Sequence, residues 1–400
     1  MKLVPQLLKH SRAVLAAFIL VAFTSSVGGQ SARPAADNKP AARPFNLVVL
    51  GDSIMWGQGL KDEHKPWSAI KGWLQQNEGR DVREHIEAHS GAVIGSPDDA
   101  PSNSRIPIDG EVSLAVPSVN EELNHAVQSY ADPAQVDLVM VDGCINDVNV
   151  LNLLNVGNSP DEIGPLVSSK CGPPMQALLS KVARSFPSAH IIVTGYYPMV
   201  SEKTSDSLIL RFIARALYRS SPQGPKLSGK QLRERLITLS RSWHQLSNGA
   251  LREAVRKTND ELGERGSRQR VAFVEIPFLP DYSFDTRNTR LWGFNGSFFR
   301  KLLVVISFGK IPLQTDDESR DQRVASCKEF YKRPAGEKSP EKKNRELRQM
   351  ICRYAAIGHP NRKGSLIYSE AIINQIKSVV SDVGWLRNPN LIATPAGSVP

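Results

Sequence analysis

Long apolar runs, cysteines and the common nucleotide-binding signatures are scarce or missing in this 400-residue chain. The apolar stretch from Ala13 to Phe23 has eleven residues, well short of the ~20 that span a bilayer comfortably. No cysteine lies near it, which excludes acylation of a cysteine at a cleavage site there. The phosphate-cradling pattern Gly-x-x-x-x-Gly-Lys-Ser/Thr is absent, which removes the P-loop nucleotide enzymes. Gly-x-Ser-x-Gly is absent as well, because Met55 follows Ile54 after Ser53, so the α/β-hydrolases with a nucleophile elbow are disfavoured. The basic residues carry no recognisable nucleic-acid-binding motif, so a net charge of +10 is not read as a nucleic-acid function. No internal repeat is visible.

What is present is ordinary globular composition, with 40% hydrophobic and 22% charged residues, enough for a full core. The N-terminus has the layout of a secretory signal: Lys2, Lys9 and Arg12, then the apolar stretch, then small residues from Ser25 to Ala32. A cleaved signal peptide over residues 1–32 is expected, with residues 33–43 as a flexible leader and secretion or periplasmic export as the destination. A contact with a membrane surface through an uncleaved anchor stays open. In an oxidising compartment the four cysteines allow three pairings. Cys327 with Cys352 is favoured, because the two bracket a charged stretch that has little else to hold it. Cys144 is either a buried thiol or the partner of Cys171.

Five segments read as buried parallel strands, Val- and Ile-rich with polar or Gly boundaries: residues 45–50, 82–88, 136–143, 190–195 and 271–276. Helical patterns fall between them. Trp67, Ile70 and Leu74 share a face, Ser118 and Glu121 stand at capping-box spacing, and Leu178, Val182 and Phe186 recur at helical period. A last helix follows, with Leu366, Ile373, Ile376 and Val380 as its stripe. Strands alternating with helices predict an α/β fold, a parallel sheet of about five strands with helices on both faces. Residues 44–386 make the domain and 387–400 a tail. Two stretches break the rhythm and are expected as insertions. Residues 200–270 hold fifteen Lys or Arg against seven Asp or Glu, and residues 277–350 include the apolar run Leu302–Phe308.

Three polar clusters stand at strand ends or before a helix: Gly51-Asp52-Ser53, Asn146-Asp147, and His359 in "GHPNRKG". Gly91 follows the second strand. A parallel sheet gathers such positions at one edge. The set is chemically complete for acyl transfer. Ser53 needs a base to take its proton, and His359 can be that base. The amides of Ser53 and Gly91 and the side chain of Asn146 can donate to the oxyanion of a tetrahedral intermediate. Glycine at 91 suits a backbone that approaches substrate closely. No metal or organic cofactor is required.

These motifs, "GDSIMWGQGL", Gly91, "CIND" and "HPNRKG" in this order, resemble the SGNH or GDSL hydrolases, over about half the chain. The resemblance implies a flavodoxin-like three-layer α/β/α fold and a serine ester hydrolase working through an acyl-enzyme. Its substrate would be a small-molecule, lipid, aryl or acetylated-carbohydrate ester. Ser53 would be the nucleophile, His359 the base, and Gly91 and Asn146 the oxyanion partners. Asp52 would support, and Asp147 would hold the Asn146 loop. Two departures stand out. Cys144 occupies the place of a usual glycine, and Ala356 occupies the place of the aspartate three residues before the histidine. His359 is then oriented by a main-chain carbonyl, or by an acid from elsewhere such as Asp281 or Asp285, or the site has lost activity. In that last case the chain is a non-catalytic carbohydrate- or lipid-binding protein on the same fold.

A rival chemistry is metal binding by "HIEAH", in which His85, Glu87 and His89 share a face if the segment is a strand, with Asp62 and His64 upstream. The zinc-protease pattern is His-Glu-x-x-His, which this is not. A surface or half-buried strand is the simpler expectation.

Overall fold

The computed structural model describes residues 43–99, 110–207, 227–295, 314–334, 336 and 338–383. The expected signal peptide and tail, the leader up to residue 42 and the run Leu302–Phe308 lie outside the described residues; Arg43, expected as the end of the leader, pairs with Asp137 (2.7 Å). Five strands form one parallel sheet: β1 (Phe45–Leu50), β2 (Val82–Ile86), β3 (Val136–Val141), β4 (His190–Thr194) and β5 (Val271–Val274), in the order β2-β1-β3-β4-β5. Every residue of β1, β3 and β4 is buried. Strands covered on both faces need such unbroken apolar runs rather than alternation, which is why these three are legible as strands.

Helices cover both faces and make the three-layer α/β/α fold. A one-turn helix α1 (Ser53–Trp56) follows β1, and α2 (Pro66–Glu78) packs beside the last helix, α11 (Arg362–Val383). On the other side lie α3 (Val119–Gln128), α6 (Pro160–Lys170), α7 (Gly172–Ser185) and the 36-residue α8 (Gly229–Glu264), with short α4 (Ile145–Val148) and α5 (Val150–Leu154) after β3. Ser118 caps α3 with the reciprocal Glu121 bond that its spacing implied. Within residues 200–270, α8 is the crossover that returns the chain from β4 to parallel β5. It buries Leu232, Leu236, Leu239, Trp243, Leu251 and Val255, so one face is core and the basic residues decorate the other.

The terminal helix corrects one expectation. Leu366 is 54% exposed, and the inward stripe is Ser365, Tyr368, Ser369, Ile372, Ile376 and Val379. The buried serines are satisfied by carbonyls: Ser365 Oγ donates to the His64 carbonyl, far away in the chain, and Ser369 Oγ to the Ser365 carbonyl one turn back. After β5 the chain forms a two-residue antiparallel pair, β6 (Phe294–Asn295) with β7 (Gln314–Thr315). A helical hairpin follows, α9 (Arg320–Phe330) and α10 (Ser339–Arg353). Disulfides join Cys327 to Cys352 and Cys144 to Cys171, and among the described residues no cysteine is free.

Candidate active site

The site follows from register. Leu50, the last residue of β1, lies opposite Val141, the last of β3, so the two chains leave the sheet side by side. Strand order reverses direction between these two strands, and the crevice beyond such a point is where open α/β sheets bind ligands. Gly51 leaves β1 with φ +133°, and a Cβ there would lie 2.0 Å from Asp142 Oδ1 on the neighbouring chain, so only glycine fits. The Gly51 amide donates to Glu122 Oε2 (2.6 Å) and the Asp52 amide to Asp142 Oδ1 (2.7 Å). Asp52 then caps α1, its Oδ1 accepting from the Ile54 amide (2.8 Å), which puts Ser53 at the first helical position.

Ser53 Oγ is 2.7 Å from Nε2 of His359. The two residues stand 306 positions apart, and the loop that carries His359 is tied down at several points. The Trp292 amide donates to the His359 carbonyl (2.8 Å), Gly358 N to Trp292 O (3.0 Å), and Tyr197 Oη to Gly358 O (2.6 Å). His359 keeps some exposure as a residue, but its Nδ1 has no solvent contact and no hydrogen-bond partner. Neither Asp281 nor Asp285 reaches it, nor does any other described carboxylate. The position that the resemblance assigns to an aspartate is filled by Ala356, fully buried with Leu60 and Trp292. Burial holds the imidazole down to about 4; the nearby carbonyl of Ala356 raises it and the Arg323 cation lowers it further.

Gly91 and Asn146 come to the same edge. The Gly91 loop is anchored by the His89 amide donating to Gly51 O (2.8 Å). Gly91 has φ +86°, and a Cβ there would sit 2.5 Å from Leu114 O. Asn146 Nδ2 donates to Ala92 O (2.8 Å), while both oxygens of Asp147 accept from the Ile94 amide (3.0 and 3.1 Å). The two loops are thus stitched to each other. Among the described residues nothing accepts from the Ser53 or Gly91 amides. Cys144, in the place of the usual glycine, adopts the glycine-like φ of +131° and is tethered to Cys171. That conformation is costly for a residue with a Cβ.

Four residues that matter here carry no sequence signal of their own. Tyr196 Oη accepts from the Ile145 amide (3.1 Å) and donates to Asp52 Oδ2 (2.8 Å), joining the Ser53 turn to the Asn146 loop. Asn248 on α8 clamps the Tyr196 backbone from both sides, at 2.8 and 3.0 Å. Asp142 and Glu122 are buried acids under the turn, both held well above the usual carboxylate range by burial, with Asp52 itself raised to about 6. An acid ending an apolar strand ("VDLVMVDG") is the one visible oddity.

Behind the turn, fully buried Arg323 pairs with Asp317 (2.7 Å) and Glu111 (2.9 Å). Glu111 also accepts from Trp56 Nε1 (2.8 Å), the Gly59 amide (2.9 Å) and Ser319 Oγ (2.7 Å). This cluster fastens the segment after α1 to the 314–323 stretch. A separate cavity of about 460 Å³, lined by Asn158, Leu227 and Arg235 among others, shares no residue with the Ser53–His359 pair.

"HIEAH" does not gather into one cluster. β2 ends at Ile86, His85 Nε2 meets Glu87 Oε1 (2.8 Å), and Glu87 faces His125 (3.7 Å), whereas His89 is buried with Nδ1 at the Ser90 carbonyl. His64 is taken by Glu318 (2.7 Å) and Asp62 by Lys65 (2.9 Å). Among the described residues no three His, Cys, Asp or Glu are placed to hold a metal ion.

No protein-family model matches the chain, and no curated protein matches it. Solved structures that it resembles include phospholipase A1 of Streptomyces albidoflavus, at 14% identity over 64% of this chain and 89% of that one, TM-score 0.38. A family two carbohydrate esterase of Clostridium thermocellum matches at 13% over 86% and 67%, TM-score 0.34. AlinE4, an SGNH-hydrolase family esterase, matches at 13% over 67% and 93%, TM-score 0.32.

Proposed function

We propose that this chain is a serine ester hydrolase that works through an acyl-enzyme at Ser53. The observation that carries the reading is the 2.7 Å contact between Ser53 Oγ and His359 Nε2 at the β1/β3 edge, beside two backbone amides that have no acceptor among the described residues. With Nε2 as acceptor the imidazole is neutral and carries its proton on Nδ1, an assignment made from the hydrogen-bond pattern. Ser53 Oγ attacks the ester carbonyl carbon as its proton passes to Nε2. The charge that develops on the carbonyl oxygen is met by the Ser53 and Gly91 amides and the second N–H of Asn146 Nδ2. Collapse breaks the bond to the alcohol, which leaves with the proton from His359. Water then attacks the acyl-enzyme, giving its proton to Nε2, and Ser53 is released with that proton as the acid departs.

Ala356 makes this a dyad in the proposal. The nearby carbonyls of Ala356, Ile357 and Ala355, none of them in hydrogen-bond geometry with Nδ1, favour the imidazolium with less charge than a carboxylate would supply. A second reading rests on that same absence: a non-catalytic carbohydrate- or lipid-binding protein. Labelling with a fluorophosphonate separates the two. Wild-type protein is modified and Ser53→Ala is not if the first reading is right; wild type stays unmodified and leaves short esters intact if the second is. An ester series of increasing acyl length, with Ser53→Ala as control, then sorts lipid, aryl and acetyl-carbohydrate substrates. Export to an oxidising compartment is part of the proposal, supported by the pairing of all four cysteines.

A further inference from the structure

The hairpin α9–α10 turns its apolar residues the wrong way for a helix that belongs to a core. On α10, Leu347, Met350 and Ile351 stand at i, i+3 and i+4, one stripe by helical period. They are 51%, 49% and 41% exposed. Phe330, closing α9, is 46% exposed. The inward side is made instead by Cys352, the one buried residue of α10, bonded to Cys327, and by Arg345, whose guanidinium donates to Tyr331 O (3.2 Å). A surface helix ordinarily buries its apolar stripe against the protein. Here the disulfide and the arginine fix the opposite rotation.

Positive charge surrounds the stripe. Residues 320–353 hold eleven Lys and Arg against five Asp and Glu. Of these, Lys343 lies within the stripe by helical period and Arg348 borders it. Both are exposed, and neither forms an ion pair among the described residues. Glu346 is offset by Lys342 and Arg345, each at 3.9 Å. A half-exposed apolar stripe edged by long cationic side chains, on a helix whose remaining residues are mostly charged or polar, is the pattern of a helix that lies in a lipid–water interface.

We propose that α10, with the end of α9, is a docking element for an anionic lipid surface. Leu347, Met350 and Ile351 enter the headgroup region while Lys342, Lys343 and Arg348 meet lipid phosphates and carboxylates. Charge complementarity selects this occupant: a second copy would set two basic faces against each other. His359 follows Arg353 by six residues, so the docked hairpin is continuous in the chain with the base of the proposed hydrolase.

The test reads binding alone, and so stands whether or not Ser53 is a nucleophile. The full-length chain is co-sedimented with vesicles of phosphatidylcholine, with and without phosphatidylserine. Because residues 13–23 form an apolar stretch of their own, every comparison is between variants of the same chain. Wild type is expected to partition about tenfold more strongly onto the phosphatidylserine vesicles, with salt weakening the preference. Leu347→Ser/Met350→Ser/Ile351→Ser should lose about tenfold on those vesicles, and Lys342→Glu/Lys343→Glu/Arg348→Glu should abolish the preference for phosphatidylserine. Both sets lie on the solvent side, and unchanged circular dichroism and melting confirm the fold of each variant. Equal binding to both vesicle types overturns the proposal, as does a triple-serine variant that binds like wild type. Stripe-dependent dimers in analytical ultracentrifugation, or stripe-dependent binding to a soluble sulfated polysaccharide without vesicle binding, also overturn it.

Discussion

Acidification is the sharpest probe of the proposed dyad, because a base that has lost its carboxylate partner should titrate unusually low. His359 is held down to about 4, chiefly by burial, against an ordinary value of about 6.5. A lowered value keeps the imidazole neutral, and able to accept the Ser53 proton, to lower pH. At pH 5 the base form would be about 0.9 of the total, against about 0.03 for an unperturbed histidine, a difference of about 30-fold in the active fraction. The assay is kcat/KM for a short uncharged ester from pH 3.5 to 8, following the released alcohol by chromatography, with Ser53→Ala subtracted. Asp52 and Asp147 are both raised to about 6 and protonate inside the same window. The His359 ring is therefore followed directly by NMR, assigned with His359→Ala. A ring titrating between 6 and 7 would refute the reasoning, whatever the rate profile did.

Folding over this range needs a control, and the signs oppose. A histidine lowered by burial takes stability away as pH falls from about 6.5 towards 4. Asp52 and Asp147, raised in the folded state, contribute stability that is complete below about 3.8 and fades as pH rises through about 6. Circular dichroism at each pH distinguishes lost activity from lost structure.

Other perturbations have equally definite expectations. Gly91→Ala forces a Cβ to within 2.5 Å of Leu114 O at a positive φ, so the amide must shift; kcat should fall by about 10²–10³, and the melting temperature should fall with it because the backbone is strained. Tyr196→Phe keeps the ring and removes the hydroxyl between Asp52 and Ile145; kcat should fall about tenfold with KM within a factor of two, as steady-state kinetics would read. A rise in KM alone would argue against a positioning role for that hydroxyl. Arg323→Ala leaves Glu111 and Asp317 buried without their cation and should cost about 3–5 kcal/mol in urea unfolding.

Much of the fold is readable because its decisive features are local. The runs at 45–50, 136–141 and 190–194 are apolar without interruption, which in a chain of this kind means strands covered on both sides. The capping box at Ser118 marks its helix by spacing alone. Ser53, Asn146 and His359 are visible because each stands where an element begins or ends. What sequence does not display are contacts between distant segments. Nothing about Tyr196 in "TGYYP" tells that its hydroxyl joins two loops, nor that Asn248, in the middle of a helix, holds its backbone. The stripe of the last helix departs from the apolar pattern at Leu366 because Tyr368 and two serines take the inward side, their hydroxyls bonded to carbonyls. Polar residues whose hydroxyls find carbonyl partners count as core, and periodicity in apolar residues cannot see them.

The loop carrying His359 is fastened to Trp292, Tyr197 and Arg290, and to none of the threads that bind the Ser53, Gly91 and Asn146 turns together. The two partners of the Ser53–His359 contact are therefore held by largely separate threads: one by the turns at the β1/β3 edge, the other by Tyr197 after β4 and by the segment beyond β5. Sequence drift in that outer segment can retune the angle and reach of the imidazole while the hydroxyl stays where the strands put it. The two mountings meet at one place, where Ala356 packs against Leu60 beyond α1, so a larger side chain at 356 would press on both.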